Sequence, residues 1–279
     1  MRVLILSDIH ANLEALQAVL AAAEGQWDEL WNLGDLVGYG GSPNQVIDLI
    51  RPLESLVVRG NHDRVCCGLT SPNAFNPTAR GAALWTRAEL SQANLDWLRE
   101  LPQGPAQPAT AAATCVHGSP LDEDTYILSM RDAWAPLQQM STPITFFGHT
   151  HVQGGFSAKG HEWHELRPHL HPANVLPSEF PSRKDSGIHL ANRPISWTIP
   201  LPPGTRHLLN PGSVGQPRDR DWRASFAILN TDPELTEGME PGTQTITFHR
   251  VPYDLVASQG RILMAGLPDR LAARLREGR

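Results

Sequence analysis

Five short stretches of this chain combine aspartate, asparagine and histidine in ways that could bind cations. They are Asp8-x-His10, Gly34-Asp35, Gly60-Asn61-His62-Asp63, His117-Gly118 and Gly148-His149-Thr150-His151. Each directly follows a run that reads as a β-strand. In an open α/β sheet, ligand sites gather beyond the carboxyl ends of strands, so all five can converge on one place. Residues i and i+2 of an extended segment point the same way. Asp8 and His10 can therefore face one ion, as can His149 and His151, or the latter two can splay between two ions. The donors are carboxylate, amide and imidazole, with no thiolate, which suits Mn, Fe, Co, Ni or Zn and argues against a structural cysteine zinc site. Asp8, His10, Asp35, Asn61, His117, His149 and His151 are too many donors for one ion. Two ions roughly 3.5–4 Å apart that share a carboxylate would use them. Taken singly, Asp-x-His, Gly-Asp or Gly-Asn-His-Asp is more often a turn or a cap, and one histidine a satisfied core residue. Order, number and strand-end placement carry the reading.

The elements that must position these residues are legible in the first 60 positions. Arg2 to Ser7, Glu29 to Leu33 and Ser55 to Arg59 are short apolar runs that read as buried strands. Between them, Asn12 can cap a helix bearing Leu13, Leu16, Val19 and Leu20 on one face. Ser42-Pro43-Asn44-Gln45 reads as a capping box with proline at the first helical position. This βαβαβ pattern implies an α/β fold with parallel pairing and helices over the sheet. Asn76, Ser91 and Ser129 are further caps, the last opening a helix that Pro136 disturbs. Later strands are expected at 113–116, 144–147, 207–209, 225–229 and 245–251. Leu255 to Arg276 reads as an ordinary packing pair of helices split near Gly266-Leu267-Pro268. The stretch from about 157 to 206 is rich in proline, holds His161, His164, His169, His171 and His189, and shows no clean period. We read it as a long insertion or cap on a single domain spanning 1–279, with its histidines solvated.

Composition excludes several classes. The 279 residues are 41% hydrophobic and 19% charged, as expected of a globular chain rather than a disordered one. Lys+Arg number 23 against 29 Asp+Glu, a net charge of -6. Non-specific binding of duplex nucleic acid is therefore not expected, and an anionic substrate needs local help such as metal ions. No apolar run is long enough for a secretory leader or a membrane span, and three cysteines form no disulfide framework. A soluble cytoplasmic protein is the expectation, with no membrane partner. A P-loop is absent, and Ser213 lacks the first glycine of a nucleophile elbow because Pro211 stands there.

Taken together, the five segments resemble the signature of the calcineurin-like metallophosphoesterase superfamily. Gly34-Asp35-Leu36-Val37-Gly38-Tyr39-Gly40 and Asn210-Pro211-Gly212-Ser213-Val214-Gly215-Gln216-Pro217-Arg218 are similar to its small bacterial phosphoesterase and phosphodiesterase branch. The resemblance covers nearly the whole chain and departs most at 157–206. It implies a two-sheet β-sandwich flanked by helices, a four-layer αββα arrangement. It implies two divalent metal ions, manganese favoured. Asp8, His10, Asp35 and His151 would hold the first. Asp35, Asn61, His117 and His149 would hold the second, with Asp35 bridging. His62 would stand beside the substrate as a non-ligand, able to protonate the leaving oxygen or stabilise the phosphoryl group, and Asp63 would either orient it or, as an equal reading, serve as a structural acceptor. Arg218 could steady a phosphate, although an ion-pair cluster with its neighbours Asp219, Arg220 and Asp221 is an equal reading.

The expected activity is hydrolysis of phosphate mono- or diesters by a metal-activated water. The expected partner is a small phosphorylated substrate or a phosphoprotein, selected by the loops around 64–80 and 157–206. A nucleoside polyphosphate hydrolase and a non-catalytic scaffold of the same fold are the alternatives. The complete donor set with His62 favours the enzyme.

Overall fold

The structure is a computed structural model that describes residues 1–53, 56–168, 193–234 and 238–279. Two mixed sheets face each other. The first has strand order β3-β2-β1-β10-β11-β8, where β1 is Arg2–Leu6, β2 Glu29–Asn32, β3 Leu56–Val57, β8 Ile195–Leu201, β10 Ala224–Asn230 and β11 Gln244–Val251. The second runs β4-β5-β9-β6-β7, with β4 Ala113–Cys115, β5 Ile144–Phe146, β6 Gly154–Lys159, β7 Glu162–Leu166 and β9 Arg206–Asn210.

Alternation along β1 shows how the layers form. Val3 and Ile5 point between the sheets, where they meet Trp31, Phe146, Leu209, Leu229 and Phe248. Leu4 and Leu6 point outward to a layer containing Leu16, Val19, Val46, Ile47 and Ile50. These outer residues belong to helices α1 (Leu13–Ala22) and α2 (Pro43–Ile50). The far face of the second sheet is covered by α6 (Met130–Gln139), through Ala133 and Leu137 against Phe156 and Leu208. The result is helix, sheet, sheet, helix, with the central strands of each sheet buried on both faces.

The parallel order of β1, β2 and β3 follows the βαβαβ pattern, with register Leu6↔Asn32 and Asn32↔Val57. These strands therefore end side by side, at the edge where Asp8, Asp35 and Asn61 follow. The short α3 (Asn61–Cys66) begins at that edge. Helices α4 (Pro77–Glu89) and α5 (Gln92–Glu100) are capped by the side chains of Asn76 and Ser91. Ser42 makes no such bond at α2, because its hydroxyl is buried without a partner. Pro43 at the first helical position starts that helix unaided.

The chain ends in α7 (Leu255–Met264) and α8 (Asp269–Glu277). Part of the stretch read as irregular is regular. Residues up to 159 continue β6, β7 pairs with it as a hairpin, and β8 closes the edge of the first sheet against β11. His161 and His164 are exposed on that hairpin. His169, His171 and His189 lie outside the described residues. Among the described residues no helix is long and apolar enough to cross a membrane.

Candidate metal centre

The strand ends bring the donors together through an uncommon backbone. Eight non-glycine residues have positive φ among those described, and five of them are Asp8, His10, Asp35, His149 and His151, at 49° to 65°. Left-handed backbone costs an L-residue roughly 1–2 kcal/mol, so its concentration here marks a site rather than a set of turns. The convergence of Asp8 and His10 is thus made by left-handed residues, not by the extended segment that spacing suggests. Backbone bonds hold the loops in register: Asp8 N donates to Gly34 O at 2.9 Å and His10 N to Asp35 O at 2.9 Å. Asp35 packs so closely on α3 that a Cβ at Gly60 would overlap its carboxylate and backbone nitrogen.

Two groups of buried donors result. Asp8, His10, Asp35 and His151 form one, and Asp35, His117 and His149 the other, with Asp35 common to both. Asp35 Oδ2 lies 3.6 Å from His10 Nε2 and 3.5 Å from His117 Nε2. His10 Nε2 is 3.1 Å from His151 Nε2, which is 3.2 Å from Asp8 Oδ1. His117 Nε2 is 3.1 Å from both His149 Nδ1 and Asn61 Oδ1. His149 and His151 therefore splay, one into each group.

The partners of the opposite ring nitrogens decide what these short contacts mean. His10 Nδ1 faces Val37 O at 3.1 Å, His151 Nδ1 faces Gln216 O at 2.6 Å, His117 Nδ1 faces Leu33 O at 2.8 Å and His149 Nε2 faces Asp124 O at 3.2 Å. A carbonyl oxygen only accepts, so each of these nitrogens donates. In the neutral ring the inward nitrogen then carries a bare lone pair. With neutral rings the cage is a set of acceptors aimed at one another, and Asp8 Oδ1 is buried without a hydrogen-bond donor. Donors about 2.1 Å from a cation sit roughly 3.0–3.4 Å from each other, which most of these separations match. Imidazoles anchored by carbonyls through the far nitrogen are the usual support of metal-ligating histidine. The donor set fits divalent cations.

Electrostatics agree. Burial opposes charge on Asp8 and Asp35, yet the surrounding imidazoles hold both carboxylates below their usual range. Burial also opposes charge on His117, but Asp35 holds its pKa up at about 10. Two buried carboxylates demand positive charge, and a proton on His117 meets that demand only in part. Burial pushes His10, His149 and His151 down, as neutral ligands require.

Three sequence-identified residues sit beside the cage. His62 donates its backbone N–H to Asp35 Oδ1 at 2.8 Å. Its ring packs at a tilt against Tyr39 and Phe75, with centroids 4.3 and 4.6 Å away, and its Nδ1 has no hydrogen-bond partner. Burial first, then Arg218, leaves it neutral, with a pKa of about 4. Asp63 does not touch His62. Its carboxylate accepts from Val37 N at 3.1 Å and Gly60 N at 3.0 Å, tying two donor loops together. Burial followed by Asp35 raises it to about 7. Asp63 is thus a loop clamp rather than an orienter of His62. Arg218 donates its backbone N–H to His151 O, while Asp219 pairs with Arg250 and Asp221 with Arg223. The ion-pair cluster expected among Arg218, Asp219, Arg220 and Asp221 does not form among the described residues, because both aspartates pair with other arginines.

The three cysteines are free and buried, and burial raises each thiol, so none is poised as a nucleophile. Sequence reasoning overlooked Tyr126, which stacks on His149 at 4.0 Å, and the arginines of α8. Arg270 and Arg274 are four apart on one face of the helix, beside that of Leu271 and Leu275, and that spacing was the available signal.

Comparison with known proteins accords with this geometry. A metallophosphoesterase structure from Sphaerobacter thermophilus is similar over 100% of both chains, with 36% identity and a TM-score of 0.75. A hypothetical protein of Pyrococcus horikoshii shares the fold at a TM-score of 0.69 and 19% identity, over 100% of this chain and 98% of that one. An uncharacterized protein of Methanocaldococcus jannaschii is 31% identical over 277 residues, 99% of this chain and 97% of its own length. The calcineurin-like phosphoesterase family matches residues 1–171, which contain every donor of the cage, and the chain belongs to that family.

Proposed function

We propose that this protein hydrolyses phosphate mono- or diesters with two divalent cations, manganese favoured, held by the cage. The supporting observation is the convergence of buried acceptor atoms whose imidazoles are each anchored to a backbone carbonyl. Asp8, His10, Asp35 and His151 would hold one ion, and Asp35, Asn61, His117 and His149 the other. Bound cations supply charge neutralisation for the phosphoryl oxygens and activate water near neutral pH.

The chain's own residues do the rest. Water adds across the P–O ester bond: its oxygen joins phosphorus, the ester oxygen leaves with a proton, and the products are an alcohol and a phosphate or monoester. His62, neutral and beside the cage, would donate a hydrogen bond to a phosphoryl or leaving oxygen. Asp63 keeps Gly60 and Val37, and so the Asp35 and Asn61 loops, in register. Arg218 adds positive charge at the mouth. Three buried, reduced thiols accord with work in the cytoplasm.

The test is turnover of p-nitrophenyl phosphate and bis(p-nitrophenyl) phosphate by Mn-loaded protein, with metal counted by mass spectrometry. Two ions per chain with turnover of either ester is the expected result. Metal-loaded protein inert to both esters would overturn the reading.

A further inference from the structure

Beside the cage lies a cavity of about 570 Å³ whose lining gathers Arg218, Arg270 and Arg274 with Tyr39, Tyr126 and Asn76. Two aromatic walls connect the two. Tyr39 lies 4.8 Å from the His10 ring and 4.3 Å from that of His62, and Tyr126 stacks on His149 at 4.0 Å. The rim is built by Arg218 and, from the far end of the sequence, by Arg270 and Arg274 of α8. The one acidic lining residue, Glu277, pairs with Arg279 at 3.3 Å. Among the described residues, Arg218 and Arg270 form no ion pair with a carboxylate, while Arg274 Nε donates to Arg279 O at 2.5 Å. Arg218 Nε is buried without a hydrogen-bond partner. Arg274 lies over the Tyr39 ring, 5.5 Å from its centroid, and burial followed by the nearby Arg218 pushes its pKa down to about 10, so it stays charged at neutral pH. Like charges gathered around a cavity in an acidic protein call for an anion. A neighbouring cavity of about 210 Å³ shows the contrast, because its Arg250 is paired with Asp219 and its Asp221 with Arg223.

Resting on the phosphoesterase reading, the geometry points to a small substrate with two phosphate groups. The scissile one lies at the cage, and a second, which is not cleaved, is held by Arg218, Arg270 and Arg274. A cavity of this size suits a small molecule, and guanidinium forks suit phosphate oxygens. The α8 helix, together with Asn76 of the 64–80 loop, then selects the substrate. The step is the hydrolysis already written, and the distal phosphate remains on the product.

The experiment measures kcat/KM of the Mn-loaded full chain on matched pairs: adenosine 3′,5′-bisphosphate against adenosine 5′-monophosphate, and fructose 1,6-bisphosphate against fructose 6-phosphate. In parallel, calorimetry measures binding of the same compounds to metal-stripped protein. Charge-assisted bonds to one extra phosphate are worth at least about tenfold. The expected result is therefore a tenfold or larger preference for a bisphosphate in at least one pair. It should fall to within about threefold in R270Q/R274Q, and also drop in R270Q alone, whose exposed side chain carries no packing role. Equal rates on mono- and bisphosphates would overturn the inference while leaving the hydrolase intact. If no phosphate is hydrolysed, the hydrolase reading fails and calorimetry decides. Tighter bisphosphate binding that is lost in R270Q/R274Q supports the arginine site, and equal binding rejects it.

Discussion

Asp35 is the donor common to both groups, so its replacement separates a shared cage from two independent sites. In D35N the carboxamide keeps an Oδ1 acceptor for His62 N, which lies 2.8 Å away, and the side-chain shape is unchanged. What is lost is the charge on the oxygen that stands 3.6 Å from His10 Nε2 and 3.5 Å from His117 Nε2. Altering groups that merely orient a ligand weakens a metal by roughly 10–100-fold, so a shared ligand should cost at least the upper figure at each site. A hundredfold weakening removes about 2.7 kcal/mol of metal-linked stability, and two sites together lose about 5 kcal/mol. At about 2.1 cal/mol/K per residue, the unfolding entropy of 279 residues is close to 0.6 kcal/mol/K. The rise in Tm on adding Mn should therefore be about 9 °C smaller than in wild type. H10Q, which touches only one group, should lose about half as much. The assays are thermal melting with and without Mn, and metal counting after dialysis. D35N that retains two ions per chain, or a Mn-induced Tm rise equal to wild type, would refute the shared-carboxylate reasoning.

His62→Ala should leave metal content near wild type while lowering kcat about a hundredfold, the usual cost of one hydrogen-bond donor to developing charge; metal loss in that variant would make His62 a ligand. Gly60→Ala drives a Cβ into Asp35 and should cost about 1–3 kcal/mol by overpacking, with weaker metal retention, checked by urea unfolding and metal counting. His207, in β9, is buried with neither ring nitrogen bonded, and burial lowers its pKa from 6.5 to about 4. The unfolded state then binds the proton first, so stability is full above pH 6.5 and falls as pH drops through 6.5 towards 4. Between pH 7.5 and 5 the loss from this residue is roughly 2 kcal/mol. Urea titrations in EDTA should show H207L losing that much less than wild type, and parallel curves would count against it.

The βαβαβ opening, the caps at Asn12, Asn76 and Ser91, and the identity of the donors were all legible, because strand periodicity, caps and metal-ligand chemistry are local properties. Ser42 shows the limit of local rules, since its hydroxyl is buried where the cap bond would be made. Strands β7 and β8 escaped notice because edge strands are half exposed and mix polar with apolar residues. In β8 the alternation of Ile195, Trp197, Ile199 and Leu201 was present but crossed by Pro200, which an edge strand tolerates.

Residue type by itself determined which chemistry this chain can support. Tertiary structure alone decided the tautomers, the sharing of Asp35 and the arginine rim. Each depends on atoms brought together from distant positions, such as Val37 O on His10 or Arg274 over Tyr39. No local spacing encodes a carbonyl or a guanidinium contributed by another layer of the fold.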